Sequence, residues 1–177
     1  MNNLKQIGLA TLMYVQDHEY MYFEYDVGGL GPYYRMLIPY LTKKYAEDFG
    51  KIVRCPSASK RDSWEGTDRC SIGVNFDATN GQPPGYKIKY ASFKKPSLTI
   101  LCADAHYLYF SYYTVYGNDG IPGNEPGIDT PDKPDISPTK YLSATRHSNG
   151  ANYLYLDGHV NWRKWPFPYN YWEWIGR

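Results

Sequence analysis

Residues 152–162 constrain the fold of this chain most, because they carry the strongest short-range signal for a β-hairpin. Asp157 and Gly158 stand between an apolar run and an alternating one. A two-residue type I′ turn needs positive φ at both central positions, which Asp tolerates and Gly adopts without a steric clash. The alternation predicts one core-facing set of side chains and one opposite set. The first set is Leu154, Leu156, Val160 and Trp162, and the second is Tyr153, Tyr155 and His159.

The spacing upstream of this turn is specific. Nine residues separate His147 from Asp157, Arg146 precedes the histidine, and a small polar Ser-Asn-Gly stretch follows it. The segment resembles the H-X9-DG domain found at the C-terminal end of type II secretion pseudopilin-like proteins with prepilin-type N-termini. The resemblance makes His147, Asp157 and Gly158 the motif residues, within a hairpin region at 140–165.

Charge and composition exclude several classes of protein. The 177 residues carry a formal net charge of +1, so the chain has no electrostatic footprint for nucleic acid or an anionic membrane. Sixteen glycines and 13 prolines predict many loops and turns, and 20 tyrosines suit half-buried strands and surfaces in contact with water. This composition is common in extracytoplasmic proteins. The sequence has no signal-peptide pattern and no stretch near the roughly 18 to 20 apolar residues of a membrane span. We therefore expect either a cytosolic protein or one whose targeting segment lies outside this sequence.

Residues 2–17 show helical periodicity. Asn2 or Asn3 is a suitable N-cap, and Gly8 costs about 1 kcal/mol relative to Ala inside a helix, so it predicts close packing against a sheet. The abrupt start indicates that residues 1–17 are the remaining part of a longer N-terminal helix. The apolar stripe consists of Leu4, Ile7, Thr11, Tyr14 and Val15, with Leu12 alongside.

Further landmarks extend the resemblance over most of the chain. Residues 2–10, with Tyr14 and Asp17, look like the segment that follows the transmembrane half-helix of these pseudopilin-like proteins. Residues 37–41 and 55–57 resemble the family's L-x-P-Y-L and C-P-S landmarks, and a P-S-x-T strand ends in Ala103 and Asp104.

The family implies a non-enzymatic subunit of a type II secretion or type IV pilus-like assembly. Its membrane contact would be a preceding apolar helix, and its globular part would lie outside the inner membrane, on the periplasmic or extracellular face. Its partners would be other pseudopilin subunits, the secretion machinery, and secreted cargo or polysaccharide.

The remaining segments predict the fold class. A short helix should start at Pro32, with one or two turns or a kink because of Pro39. Strands are predicted at 70–76, 87–92, 98–104 and 107–116, and the continuous apolar run of the third indicates burial on both faces. This order favours a single α+β domain over 1–177, in which the N-terminal helix packs on a small antiparallel sheet with long loops, as in pilins.

Three cysteines leave two interpretations open. Cys55 and Cys70 flank a polar loop, and a disulfide between them would stabilise the fold by roughly 3 kcal/mol. The alternative is three free thiols in a cytosolic protein. Cys102 lies in the predicted buried strand, where it would act as a small hydrophobe.

The four histidines have no metal-ligand spacing. We expect His147 to be structural, with its imidazole bonded to backbone or to a carboxylate, either Asp104 or Asp157. The alternative is a hydrolase that uses His147 with one of these two aspartates, which would require a nucleophile and an orienting partner in the right geometry.

The loop at 117–138 is rich in Gly, Pro and Asp, and its Asp119-Gly-Ile-Pro-Gly stretch resembles the start of the calcium-binding loop of major pseudopilins. Hard oxygen donors on a flexible loop suit Ca²⁺, with Asp119, Asp129 and Asp132 as candidate ligands. The alternative is a solvated acidic loop, since no D-x-D-x-D-G pattern is present.

Aromatic residues crowd the C-terminal tail. Such residues form sugar-stacking platforms and subunit contacts, but they also pack over sheet edges. A surface carbohydrate-binding or adhesion module is therefore the alternative function. Its candidate surface is Trp165, Tyr169, Trp172 and Trp174.

Overall fold

The computed structural model describes residues 1–21, 32–41, 47–58, 71–79, 88–105, 109–110, 128–129, 142–143 and 146–164. Helices α1 to α4 span Asn2–His18, Pro32–Leu41, Glu47–Ile52 and Phe76–Thr79. Strands β1 to β3 are Ile72–Asn75, Ile100–Asp104 and Tyr109–Phe110, and β4 to β7 are Ile128–Asp129, Leu142–Ser143, Gly150–Tyr155 and Val160–Lys164. Among these residues, no helix is both long and apolar enough to cross a membrane.

One sheet organises the described residues. Its order is β3-β1-β2-β6-β7, in which β1, β2, β6 and β7 pair antiparallel and the two-residue β3 pairs parallel to β1. The α+β class with an antiparallel sheet is therefore confirmed. The short strands β4 and β5 form a separate parallel pair, and β5 contacts β2.

A row of apolar side chains crosses this sheet. Val74 pairs with Cys102, Cys102 with Leu154, and Leu154 with Val160, so all four lie on one face. The first three are buried in the main core with Leu4, Ile7 and Tyr14 of α1, and Val160 packs against it. Full burial of such aliphatic side chains stabilises the fold by about 1.5 to 3 kcal/mol each.

Helix α1 lies very close to the hairpin. A Cβ on Gly8 would come within 2.8 Å of Leu154 Cδ1 and 3.2 Å of the Gly158 carbonyl oxygen. The close packing predicted from Gly8 is confirmed. The predicted stripe is buried as well, except Leu12, which is half-buried against Gly158.

We expect Gly8→Ala to lower the free energy of unfolding by about 1 kcal/mol. Ala favours the helix more than Gly does, but the steric clash of the added methyl group is larger than this gain. The cost should shrink when Leu154 is also replaced by Ala, since Leu154 Cδ1 is the atom that the new methyl group meets. Urea unfolding of the two single variants and the double variant measures this coupling. Strictly additive effects would contradict the contact.

The helix ends differ from the sequence prediction. Met1 is the N-cap of α1, so Asn2 and Asn3 lie inside the helix. The Asn3 side chain instead donates hydrogen bonds to the carbonyl oxygens of Lys51 and Arg54, both at 2.8 Å, and so ties the end of α3 to α1. Helix α2 runs for 10 residues and contains Pro39, which therefore does not end it after one or two turns.

Two of the four predicted strands are confirmed, at β1 and β2, and all five residues of β2 are buried as expected. The strand predicted at 87–92 is wrong for its described residues. They form an isolated bridge between Lys89 and Tyr20, then a 3-10 turn at Tyr90–Ser92. Of the run at 107–116, only β3 lies within the described residues.

The hairpin forms, but its turn is not the predicted one. Leu154 pairs with Val160, and Gly158 alone in the loop has positive φ, at 88°. The Gly158 N–H donates to the Tyr155 carbonyl oxygen and the Tyr155 N–H to that of His159, which makes a three-residue loop with glycine in the left-handed region. Asp157 therefore needs no strained backbone.

The predicted division of side chains between the two hairpin faces is only partly correct. Leu154, Leu156 and Val160 do pack on the core, but Trp162 is 37% exposed. On the other face, Tyr153 and Tyr155 are buried, so both sides of β6 are covered.

Candidate functional site

Asp104 is the buried carboxylate of the site. It ends β2 two residues after Cys102, on the sheet face that packs against α1, and is 2% exposed. Its Oδ2 accepts hydrogen bonds from the backbone N–H of Asn152, at 2.8 Å, and from the Asn152 side-chain amide, at 3.0 Å. The neighbouring strand β6 thus fixes the orientation of the carboxylate.

Arg146 brings the opposite charge to the same place. Its guanidinium donates to the carbonyl oxygens of Ser71, at 2.7 Å, and Ala105, at 3.0 Å, and lies 3.5 Å from Asp104 Oδ1. Both charged side chains are nearly inaccessible, with 3% and 2% exposure. Arg146 therefore holds the ends of β1 and β2 together while it partly neutralises the aspartate.

A tight turn positions His147. Ser148 and Asn149 both have positive φ, 53° and 61°, and the His147 N–H donates to the Gly150 carbonyl oxygen at 2.8 Å. The indole N–H of Trp162 donates to the His147 carbonyl oxygen at 2.9 Å. With its backbone held on both sides, His147 places Nε2 at 3.2 Å from Asp104 Oδ2. Of the carboxylate partners considered from the sequence, Asp104 is the one found.

Cys55 completes the cluster from a segment that follows α3. Its Sγ lies 3.3 Å from His147 Nε2. Its backbone N–H donates to Ser71 Oγ at 2.6 Å, and the Ser71 N–H donates to the Val53 carbonyl oxygen at 3.0 Å. These bonds fasten the cysteine to the start of β1, beside Asp104.

The charges around the cluster have clear physical effects. Burial raises the pKa of Asp104, but the hydrogen bond from His147, the charge of Arg146 and the amide of Asn152 together hold that pKa below its usual value. Burial raises the pKa of the Cys55 thiol, and the negative charge of Asp104 raises it further. At neutral pH the aspartate is therefore ionised and the cysteine is a neutral thiol.

This arrangement is not that of a catalytic relay. In a nucleophile–histidine–acid triad, one ring nitrogen of the histidine faces the nucleophile and the other faces the acid. Here Cys55 and Asp104 both lie against the same nitrogen, Nε2. A relay through the ring would need one of these two groups at Nδ1, and a thiol of raised pKa is a weak nucleophile.

The three side chains are instead donors of the kinds that bind metal ions. One sulfur, one imidazole nitrogen and one carboxylate oxygen lie within 4.8 Å of one another. Cys55 and Asp104 also line a cavity of about 410 Å³ beside the first turn of α1, together with Asn3, Ile72 and Asn152. The cavity gives small molecules access to two of the three donors.

The other end of the motif forms a separate pair. Asp157 Oδ1 lies 2.6 Å from His159 Nδ1 and accepts a hydrogen bond from the His159 N–H at 3.1 Å. The His159 ring stacks on Tyr155 at a centroid distance of 4.3 Å. Asp157 and His159 are both exposed, so Asp157 shapes the hairpin loop and is not a member of the cluster.

The described residues do not support the Cys55–Cys70 disulfide, one of the two interpretations of the sequence. Cys55 and Cys102 are free buried thiols. The Sγ of Cys55 lies against His147 Nε2 instead. Cys70 itself lies outside the described residues.

The other sequence-predicted sites fall mostly outside the described residues. Among the calcium candidates, Asp119 and Asp132 lie outside them, and Asp129 is described only as part of the backbone of β4. The tail surface of Trp165, Tyr169, Trp172 and Trp174 is outside them altogether. Both hypotheses stay predictions.

Sequence reasoning missed the partners that build the cluster. The sequence pattern marks Arg146 only as a neighbour of the histidine, gives no signal for Asn152, and leaves Cys55 open between a disulfide and a free thiol. Two short patterns could have indicated these residues, the Cys-Pro-Ser landmark and the Arg-His pair, since each contains side chains that bind metals or carry charge.

Comparison with known proteins identifies no relatives. No protein family matches the chain, and neither a curated protein nor a solved structure resembles it significantly. Function has to be argued from the sequence and the structure alone.

Proposed function

We propose that this chain is a non-enzymatic, pseudopilin-like subunit of a type II secretion or type IV pilus-like assembly, whose copies pack through helix α1 outside the inner membrane. The observation that carries the proposal is the outer face of α1. Leu9 and Met13 lie one turn apart on that face and are 62% and 44% exposed. They are large apolar side chains on a helix whose opposite face is already buried.

The firm attachment of α1 supports this role. A helix that transmits packing forces in a filament has to be fixed to its own globular part. Here Gly8 allows α1 to approach Leu154 and Gly158 closely, and the Asn3 side chain ties it to the end of α3. The inner face therefore belongs to the fold, and the outer face is available to another subunit.

The geometry of the cluster counts against a hydrolase that relays protons through His147. The motif histidine is held by backbone hydrogen bonds, and both of its side-chain partners share one nitrogen. The hydrolase interpretation requires two different ring nitrogens. In our proposal the Arg146-His147 segment is structural and holds β1, β2 and the hairpin together.

Site-specific photo-crosslinking tests the assembly. A photoreactive amino acid replaces Leu9 or Met13 in the complete gene product, expressed in its own host, and crosslinked species are identified by mass spectrometry. We expect ladders that contain α1 peptides of a second copy or of another pilin-like subunit. Incorporation of a photoreactive amino acid needs no cysteine labelling, so the three cysteines of the chain stay unmodified before irradiation.

Leu98 provides the matched control. It is 46% exposed, so it resembles Met13 in type and accessibility, but it lies in the turn before β2. Crosslinks at Leu9 and Met13 but not at Leu98 support the proposal. Only monomers at all three positions, or equal crosslinking at all three, would count against it.

A further inference from the structure

We propose that Cys55, Asp104 and His147 form a binding site for a single borderline-soft divalent transition-metal ion, best fitted by Zn²⁺. Sulfur, imidazole nitrogen and carboxylate oxygen are the three ligand types that zinc uses in proteins. A thiol ligand does not suit Ca²⁺ or Mg²⁺, because both ions prefer oxygen donors. The proposal goes beyond assembly through α1 and does not depend on it.

The distances between donors fit a tetrahedral ion. With Zn–S near 2.3 Å and Zn–N and Zn–O near 2.0 Å, tetrahedral angles put sulfur about 3.5 Å from nitrogen and nitrogen about 3.3 Å from oxygen. The observed separations are 3.3 Å from Cys55 Sγ to His147 Nε2 and 3.2 Å from that nitrogen to Asp104 Oδ2. Two of the three donor separations therefore match a tetrahedral site, and the sulfur and the carboxylate oxygen lie within 4.8 Å of each other.

Metal binding would replace the hydrogen bonds of the cluster. Without an ion, His147 donates a hydrogen bond to the Asp104 carboxylate, and the Cys55 thiol also hydrogen-bonds that carboxylate. A divalent ion bonds all three side chains at once, while the imidazole proton moves to Nδ1 and the thiol proton leaves to solvent.

The surroundings act as an outer shell for such an ion. Arg146 contacts Oδ1 of Asp104, which leaves Oδ2 directed toward His147, and Asn152 fixes that oxygen with two further hydrogen bonds. Outer-shell contacts of this kind orient ligands before the ion arrives. Binding of Zn²⁺ with loss of the thiol proton changes the charge of the Cys55 and Asp104 pair from −1 to neutral, so the Asp104 carboxylate is then shared between the ion and Arg146.

A fourth ligand would come from the cavity. The chain offers three donors, and a zinc site of three protein ligands leaves one position for water or another small ligand. Cys55 and Asp104 stand in the wall of the 410 Å³ cavity, so water reaches the ion from that side. The ligand class for this position is a small oxygen, nitrogen or sulfur donor.

The test uses the purified 177-residue chain, kept reduced with a phosphine and freed of metal with EDTA. Calorimetric titration with ZnCl₂ should give one ion per chain. Titration with CoCl₂ should give the near-ultraviolet charge-transfer band of a cobalt–thiolate bond and the visible bands of tetrahedral cobalt. Cys55→Ser, Asp104→Asn and His147→Gln should each weaken zinc binding by at least about a hundredfold. Loss of an outer-shell partner already lowers metal affinity by up to about a hundredfold, and loss of a direct ligand should lower it at least as much.

His159→Gln is the matched control, because His159 also pairs with an aspartate but lies outside the cluster. It should bind zinc as the unaltered chain does. Thermal unfolding in EDTA identifies any variant that fails to fold, and the remaining variants then decide. No zinc uptake by the unaltered chain, a cobalt spectrum without the thiolate band, or unchanged affinity in folded Cys55→Ser and His147→Gln would overturn the proposal.

Discussion

Asp104→Ala is expected to lower the free energy of unfolding by about 3 to 5 kcal/mol. The substitution leaves the Arg146 guanidinium buried without its counter-charge, at 3% exposure, and removes the acceptor of both Asn152 hydrogen bonds. Two carbonyl oxygens still receive hydrogen bonds from Arg146, so the cost arises from its uncompensated charge and from the two Asn152 donors left without an acceptor. Urea unfolding in EDTA measures the effect without any contribution from metal.

Asp157→Ala provides the comparison, because Asp157 also lies beside a histidine but is exposed, as is its partner. Exposed pairs contribute about 1 kcal/mol or less. A loss at Asp104 no larger than that at Asp157 would mean that Arg146 and Asp104 are not a buried pair in solution.

Gly150→Ala is expected to cost about 2 to 3 kcal/mol, because β6 and β7 leave no room for a methyl group at this position. A Cβ on Gly150 would lie 2.5 Å from the Arg163 carbonyl oxygen and 2.6 Å from the Trp162 ring. The carbonyl is backbone of the paired strand, so it cannot yield as a side chain can. Displacement of Trp162 would also weaken its hydrogen bond to the His147 carbonyl oxygen.

Gly50→Ala is the matched glycine replacement. Gly50 lies within α3, and a Cβ there would meet nothing within 4 Å. Since Ala favours a helix over Gly by about 1 kcal/mol, this variant should be as stable as the parent or slightly more so. Paired thermal melts compare the two, and equal losses at both positions would contradict the packing at Gly150.

Strands β1 and β2, the hairpin and the class of fold could be predicted because their signals are local. The continuous apolar run of β2 and the alternation around Asp157 and Gly158 depend on a few neighbouring residues. The type of turn could not be predicted in the same way. An Asp-Gly pair is compatible with two hairpin loops: a two-residue loop, or a three-residue loop with glycine in the left-handed region. The two loops place the strands in registers that differ by one residue.

The candidate site could not be predicted from local sequence patterns. Cys55 and His147 are 92 residues apart, and their proximity depends on Ser71, which fastens the cysteine to the start of β1. No spacing rule relates such residues before the sheet order is known. The sequence identified His147 through its motif and gave Asp104 as one of two possible carboxylate partners, whereas the structure supplied Cys55, Arg146 and Asn152.

Both the proposed metal site and the rejection of a catalytic relay depend on the convergence of Cys55, Asp104 and His147 on one point. A crystal structure grown with ZnCl₂, with anomalous data at the zinc edge, tests it most directly. We predict one strong peak about 2.0 to 2.3 Å from Cys55 Sγ, His147 Nε2 and an oxygen of Asp104. Cys55 and Asp104 on different nitrogens of His147, with no zinc between them, would contradict the claim.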